Sequence, residues 1–172
     1  MNNQNEIETY ANITAFPNYQ ISTFGNCKNI KTGRVLKPGI GSHGYYHVTL
    51  TNDGKRSDKK IHKLVAGVFL QNPEDKKCVD HIDRDSLNNH LSNLRYATHS
   101  ENNQNVSIKS NNTSGVAGVS WNKQRKKWQA YIKLNYIKKN LGYFVNKDDA
   151  ITARTNAEIL YFGDFRAVNQ IV

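Results

Sequence analysis

No stretch of the chain approaches the ~20 apolar residues that a membrane-spanning helix needs. Only 37% of its 172 residues are hydrophobic, and the mean hydropathy is −0.72. That shortage excludes one large core and leaves one or two small domains, or modules. Cysteine is scarce too: Cys27 and Cys78 form no Cys-x-x-Cys pair, so no structural zinc knuckle is expected. Met1 to Tyr10 lacks the charged-then-apolar layout of a signal peptide. An intracellular, unsecreted protein with two reduced thiols follows. The sequons at Asn105, Asn111 and Asn112 are then without consequence. Acidic side chains are the last shortage, 14 against 24 basic ones, for a net charge of +10.

The basic excess is uneven. Residues 1–105 hold 13 basic and 10 acidic side chains, and residues 106–172 hold 11 and 4. A basic C-terminal third points to a polyanion, either nucleic acid or an anionic membrane. Nine Tyr and two Trp sit mostly in strand-like runs, which argues against disorder.

Three segments stand out. In residues 1–70, Tyr19–Ser22 and Tyr45–Leu50 have strand composition. Gly25-Asn26, Gly39 to Gly44 and Asn52 to Lys55 have turn composition. Apolar residues at 61, 64, 65, 68 and 69 predict a helix over Ile61–Leu70. In residues 71–106, Cys78–Ile82 and Leu94–Ala97 predict two short strands around a polar loop, Asp83 to Asn93. Thr98 with Glu101 three residues on predicts a capping box. Asn103 to Ser114 is a predominantly polar stretch, either a linker (107–114) or an arm lying along a ligand. In residues 115–172, Val116–Trp121, Lys127–Leu134 and Lys138–Phe144 predict three strands. Asn146 with Asp149 then predicts a capped helix whose apolar stripe is Ala150, Ala153, Ala157, Leu160 and Tyr161, ended by Gly163.

The chemistry concentrates at Asp80-His81, followed by Asn93 and Asn102. Phosphodiester hydrolysis needs a base for water, a cation for the phosphate and leaving oxygen, and an in-line arrangement. His titrates near neutrality and suits the base. An Asp carboxylate and an Asn amide oxygen are hard donors that suit Mg²⁺ or Mn²⁺. Strand neighbours 80 and 81 point to opposite faces, so both can serve one phosphate only where the strand ends or bends.

Val79-Asp80-His81-Ile82-Asp83, Leu87-Asn88-Asn89, Leu91, Asn93-Leu94-Arg95, Thr98 and Glu101-Asn102 together resemble the HNH motif of phage intron-encoded homing endonucleases. The resemblance implies a ββα-metal finger. It implies His81 as general base and Asp80 as a metal ligand. Asn93 would be the Asn that braces the loop, and Asn102 the second ligand, where many members carry His. Asn there favours Mg²⁺ or Mn²⁺, one ion per site, over Zn²⁺. His90 and His99 miss the matching position and are expected at the surface or on DNA. Arg95 touches a phosphate beside the cut or faces solvent.

The flanks carry resemblances too. Phe16 to Ser22, Gly25-Asn26, Gly33 to Pro38, Gly44-Tyr45 and Ile61 to Ala66 resemble the module that precedes HNH motifs in the same phage enzymes. That module implies a small antiparallel sheet and a helix on DNA, with Arg34 and Lys37 among the phosphate contacts. His62 is expected to be packed rather than a ligand. Ser114 to Val116, Gly118 to Trp121, Lys127 to Ile132, Leu141 to Phe144 and the Ala150/Ala153 helix resemble the plant ethylene-response-factor domain. The DNA contacts implied there are Trp121, Lys123, Arg125, Lys127, Trp128, Lys133, Lys138 and Lys139. Alternation sets 127, 129, 131 and 133 on one face and 128, 130 and 132 on the other, so Trp128 is a candidate for the core.

The expectation is therefore an α+β protein. A small N-terminal antiparallel sheet plus helix comes first (1–70). A ββα-metal HNH motif follows (71–106), then the linker, then three antiparallel strands on one helix (115–172). The expected function is site-specific cleavage of double-stranded DNA, homing in type, by a monomer or homodimer with no obligate protein partner and no membrane. A monomer would nick. The host compartment would be cytoplasm, or nucleus for a virus of eukaryotes. The alternative is a non-catalytic, transcription-factor-like DNA reader.

Overall fold

The computed structural model describes residues 6–105 and 112–166. Residues 107–111 of the expected linker lie outside them. The chain divides into two compact units, residues 1–97 and 98–172.

The first unit opens with an antiparallel meander: β1 (Tyr10–Asn12), β2 (Tyr19–Ser22) and β3 (Cys27–Asn29). A second sheet follows, of β4 (Gly39–Ile40), β5 (Tyr46–Asn52) and β6 (Lys55–Lys60). The single N-terminal sheet expected from sequence is thus two sheets. The expected turn at Gly39 to Gly44 begins as β4, which pairs Gly39 with His47 and Ile40 with Tyr46. Glycine hides such a strand, because its composition argues for a turn. Between β5 and β6, Asp53 and Gly54 both have positive φ (49° and 74°). That is the two-residue hairpin loop that Asp-Gly favours.

Helix α1 (Ile61–Phe69) buries Ile61, His62, Val65 and Ala66. A hairpin of β7 (Cys78–His81) and β8 (Leu94–Ala97) completes the unit. One core takes Ile13, Phe16, Tyr19 and Ile21 from the first sheet region, Val48 and Leu50 from β5, Ile61 and Val65 from α1, and Leu94 from β8. Half-buried Val79 and Leu91 pack against it. Residues 71–97 therefore share their core with residues 10–70. Removing this apolar area from water, at about 25 cal/mol per Å², is what anchors the β7–β8 hairpin.

The second unit begins at α2 (His99–Asn102), where the expected capping box is present. Thr98 Oγ1 accepts from Glu101 N–H at 3.1 Å, and Glu101 Oε2 accepts from Thr98 N–H at 2.6 Å. Next come β9 (Val119–Asn122), β10 (Lys127–Leu134) and β11 (Ile137–Phe144), in sheet order β11-β10-β9, then α3 (Lys147–Phe162). β9 starts three residues later than expected. Gly115 and Gly118 turn at positive φ, and the Ser114 hydroxyl ties the turn to Val116 O and Val119 O at 2.9 and 2.7 Å. A Cβ at Gly118 would collide with Tyr131 O.

The stripe of α3 differs from expectation. Its buried residues are Ala150, Arg154, Ala157, Glu158 and Phe162, while Leu160 is 73% and Tyr161 39% exposed. Arg154 Nη2 and Glu158 Oε1 pair at 2.9 Å, and Arg154 Nε donates to Ala117 O at 2.8 Å. Polarity concealed these two positions, because each charge is buried only by virtue of its partner. Asn146 precedes α3 without capping it through its side chain. It donates instead to Asp149 Oδ2 at 3.3 Å.

Candidate active site

β7 ends at His81, where the backbone turns. Arg84 N–H donates to His81 O, and Ile82 N–H to Asn93 O, each at 2.9 Å. Asp80 and His81 therefore sit at a strand end, facing opposite sides, and both are buried at 4% and 7% exposure. Asp80 lies opposite Arg95 in the β7–β8 register. Arg95 Nε and Nη2 both donate to Asp80 Oδ2, at 2.9 and 2.7 Å. Arg95 is thus half-buried on the carboxylate rather than directed to solvent, and its charge offsets the cost of burying Asp80.

The loop after His81 is braced by polar side chains. Asn93 Oδ1 accepts from Asp83 N–H at 2.9 Å, and its Nδ2 donates to Asp83 Oδ1 at 2.8 Å and Asn88 O at 2.9 Å. Asn88 Nδ2 donates to Asp83 Oδ2 at 2.7 Å. Burial raises the Asp83 pKa, but hydrogen bonds from Asn88, the Asp85 N–H and Asn93 outweigh it, so the carboxyl sits below its usual value. Asp83 is the hub of this loop, a part that the sequence did not single out.

His81 meets three further side chains. Asn89 Oδ1 lies 3.3 Å from its Nε2. The Tyr45 ring stacks on it with centroids 5.9 Å apart, and the His62 ring meets it edge-on at 5.0 Å. Tyr45 and His62 also touch each other, at 4.8 Å. His62 is 3% exposed, packed as expected. Burial first, then His81, Lys60 and Lys63, push its pKa down to about 3. No signal in the sequence joins Tyr45 and His62 to His81, because 36 and 19 residues separate them.

Asn102 ends α2 in the second unit, its N–H donating to Thr98 O at 3.0 Å. His99 is exposed there. His90 is tethered rather than free at the surface. Its Nδ1 meets Ser92 Oγ at 2.8 Å, its Nε2 meets Glu6 Oε2 at 3.0 Å, and its ring contacts Phe24. Among the described residues no three His, Cys, Asp or Glu gather as a metal cage.

Arg34 and Lys37 are exposed on the segment after β3. In the second unit the register sorts the basic candidates by face. Ala130 and Ile132 of β10 are buried, whereas Lys127 and Lys133 are exposed. Trp128 pairs with Trp121 across β9–β10 and packs against the core beneath α3. Lys139, opposite Ile132, bonds Tyr161 of α3 at 2.7 Å. The other face carries Lys127, Gln129, Tyr131 and Lys133, with Lys138 over the Tyr131 ring and Arg125 over the Tyr143 ring. Lys123 is exposed in the β9–β10 turn.

Residues 71–104 match the family model described as HNH endonuclease. That segment is similar to HNH endonucleases. Residues 6–51 match the NUMOD4 motif. The chain is 34% identical over 102 residues to DNA endonuclease I-HmuI of Bacillus phage SP01, covering 59% of this chain and 56% of that protein. It is 42% identical over 105 residues to the uncharacterized HNH endonuclease L247 of Acanthamoeba polyphaga mimivirus, covering 59% of this chain and 26% of that protein. With H-N-H endonuclease F-TflII of Escherichia phage T5 the identity is 33%, covering 64% and 58%. This chain thus spans about a quarter to three-fifths of these relatives' length. The solved structure of DNA binding and cleavage by the HNH homing endonuclease I-HmuI superposes with a TM-score of 0.54 at 25% identity, over 88% of this chain and 89% of that one. Relatives of this chain are named HNH and homing endonucleases, and HNH nucleases in general use a divalent metal ion. Among the described residues, no helix is long and apolar enough to cross a membrane.

Proposed function

We propose that this chain is a site-specific, homing-type DNA endonuclease that hydrolyses phosphodiester bonds with His81 as general base. The observation that carries this reading is the pairing of buried Asp80 and His81 at the end of β7, beside a loop braced by Asn93. His81 takes the proton from the attacking water, held by its ring neighbours. Asn93 keeps the loop and strand end in register. Arg95 pins the Asp80 carboxylate and reaches a phosphate beside the cut with the same guanidinium.

Asp80 would be a protein ligand of one divalent ion, and Asn102, read from the motif alone, would offer an amide oxygen to such an ion. A carboxylate and an amide oxygen suit Mg²⁺ or Mn²⁺, which complete their shells with water and phosphate oxygens. When bound, such an ion would supply charge neutralisation at the phosphate and the leaving 3′ oxygen. One centre per chain nicks one strand, and a double-strand break takes two copies. The second unit, with three strands on one helix, serves as an ethylene-response-factor-like DNA module. Its open face offers Arg125, Lys127, Lys133 and Lys138, with Lys123 at the rim and Trp121 and Trp128 supporting from the helix side. Arg34 and Lys37 contact phosphates from the first unit. The enzyme works on double-stranded DNA inside a host cell.

The test is cleavage of a random-sequence DNA library with Mg²⁺ or Mn²⁺, beside His81→Ala. Sequence-selective cutting by the native chain, with at least a ~100-fold loss in the variant, is expected. Binding by both without cutting by either would instead support the non-catalytic DNA reader.

A further inference from the structure

His81 has two ring nitrogens, and a neutral imidazole carries its hydrogen on one of them only. The nitrogen without the hydrogen is the one able to take a proton from water. The surroundings of Nε2 bear on which it is. Asn89 Oδ1 faces Nε2 at 3.3 Å. The orientation of that amide is set from its other end, where Nδ2 donates to Leu87 O at 3.0 Å. The atom turned to the ring is therefore the oxygen, which can only accept. Asn89 is 5% exposed, so water offers its oxygen little substitute for the ring N–H. The ring is also confined. Tyr45 stacks on it and His62 abuts it edge-on, which limits a flip that would exchange the two nitrogens. Asn89 itself stands on the loop that Asn93 and Asp83 brace.

We propose that Asn89 is a positioning residue that holds His81 in its Nε2–H tautomer and so makes Nδ1 the nitrogen that accepts the water proton. This rests on His81 being the base. With Nε2 deprotonated, two lone pairs would face each other in a buried contact. A preference of about ten to one for Nε2–H follows from one hydrogen bond gained or lost.

The tautomer can be read without any cleavage, so this inference and the nuclease reading fail separately. Two-bond ¹H–¹⁵N correlation spectra of the uniformly labelled, metal-free chain are recorded where the histidine rings are neutral, with His81 assigned by its absence in His81→Gln. The native chain should show the Nε2–H pattern. Asn89→Ala should shift the His81 nitrogens toward a mixture of tautomers, while Asn89→Asp, which keeps an acceptor, should retain Nε2–H. The His62 resonances serve as the check that each variant is folded. An Nδ1–H pattern in the native chain, which needs no variant to fold, would overturn the proposal. So would an unchanged tautomer ratio in folded Asn89→Ala.

Discussion

His62 makes the first unit lose stability in acid, by an amount that can be worked out. Its ring is 3% exposed, wedged between Tyr45 and His81, and burial holds its pKa at about 3 against an ordinary 6.5. The native state therefore resists a proton that the unfolded chain takes up below 6.5. Stability from this group is complete above pH 6.5 and falls as pH drops from 6.5 toward 3, by at most about 1.4 kcal/mol per pH unit. Between about pH 7.5 and about pH 5 the loss comes to about 2 kcal/mol. The groups facing His62 are His81, Tyr45, Lys60 and Lys63. His81 is the other imidazole in this contact, so the comparison is made in a His81→Gln background. His62→Phe keeps a ring in the site and removes the titration. Trp121 and Trp128 both lie in the 98–172 unit and report on the other half of the chain. Cys27, 1% exposed in the first unit's core, is the better probe. Its labelling along a urea series, with a disulfide reagent active in acid and peptide mapping, gives the unfolding free energy at each pH. The His62→Phe chain should lose about 2 kcal/mol less than its parent between the two pH values. Equal losses would mean that His62 is not held neutral by its surroundings, and would refute the reasoning.

Two further outcomes are expected. Arg154→Met leaves Glu158, whose pKa burial already raises, without its partner; the second unit should lose about 3–5 kcal/mol by Trp fluorescence, and Glu158→Leu in addition should recover most of it. A single-variant loss below about 1 kcal/mol would mean that the pair is not truly desolvated. On DNA, Lys127→Ala and Lys133→Ala should each reduce the slope of log affinity against log salt by about 0.9, while Lys139→Ala, already engaged with Tyr161, should leave it unchanged; the reverse order would place the DNA on the helix side of the sheet.

What the sequence makes legible here follows from the range of the interactions. Short-range rules recover β2, β5, α1, the β7–β8 hairpin and the Thr98 capping box, because strand alternation, helical spacing and capping are all written within a few residues. They miss β4, whose two residues, Gly39 and Ile40, become a strand only through β5. They misplace the stripe of α3, because Arg154 and Glu158 are buried as a pair and neither looks buried alone.

The candidate site divides in the same way. Asp80, His81 and Asn93 are visible as a motif within 14 residues. What surrounds the His81 ring comes largely from elsewhere: Tyr45 precedes β5, His62 is on α1, and Asn89 lies in the loop. α1 contributes Ile61 and Val65 to the same core that takes Leu94 from β8. The packing that anchors the hairpin thus also fixes where His62 stands against His81. If His81 is the base, residues 1–70 build part of the wall that holds it in place. A truncation that kept residues 71–104 alone would retain the motif and lose that wall.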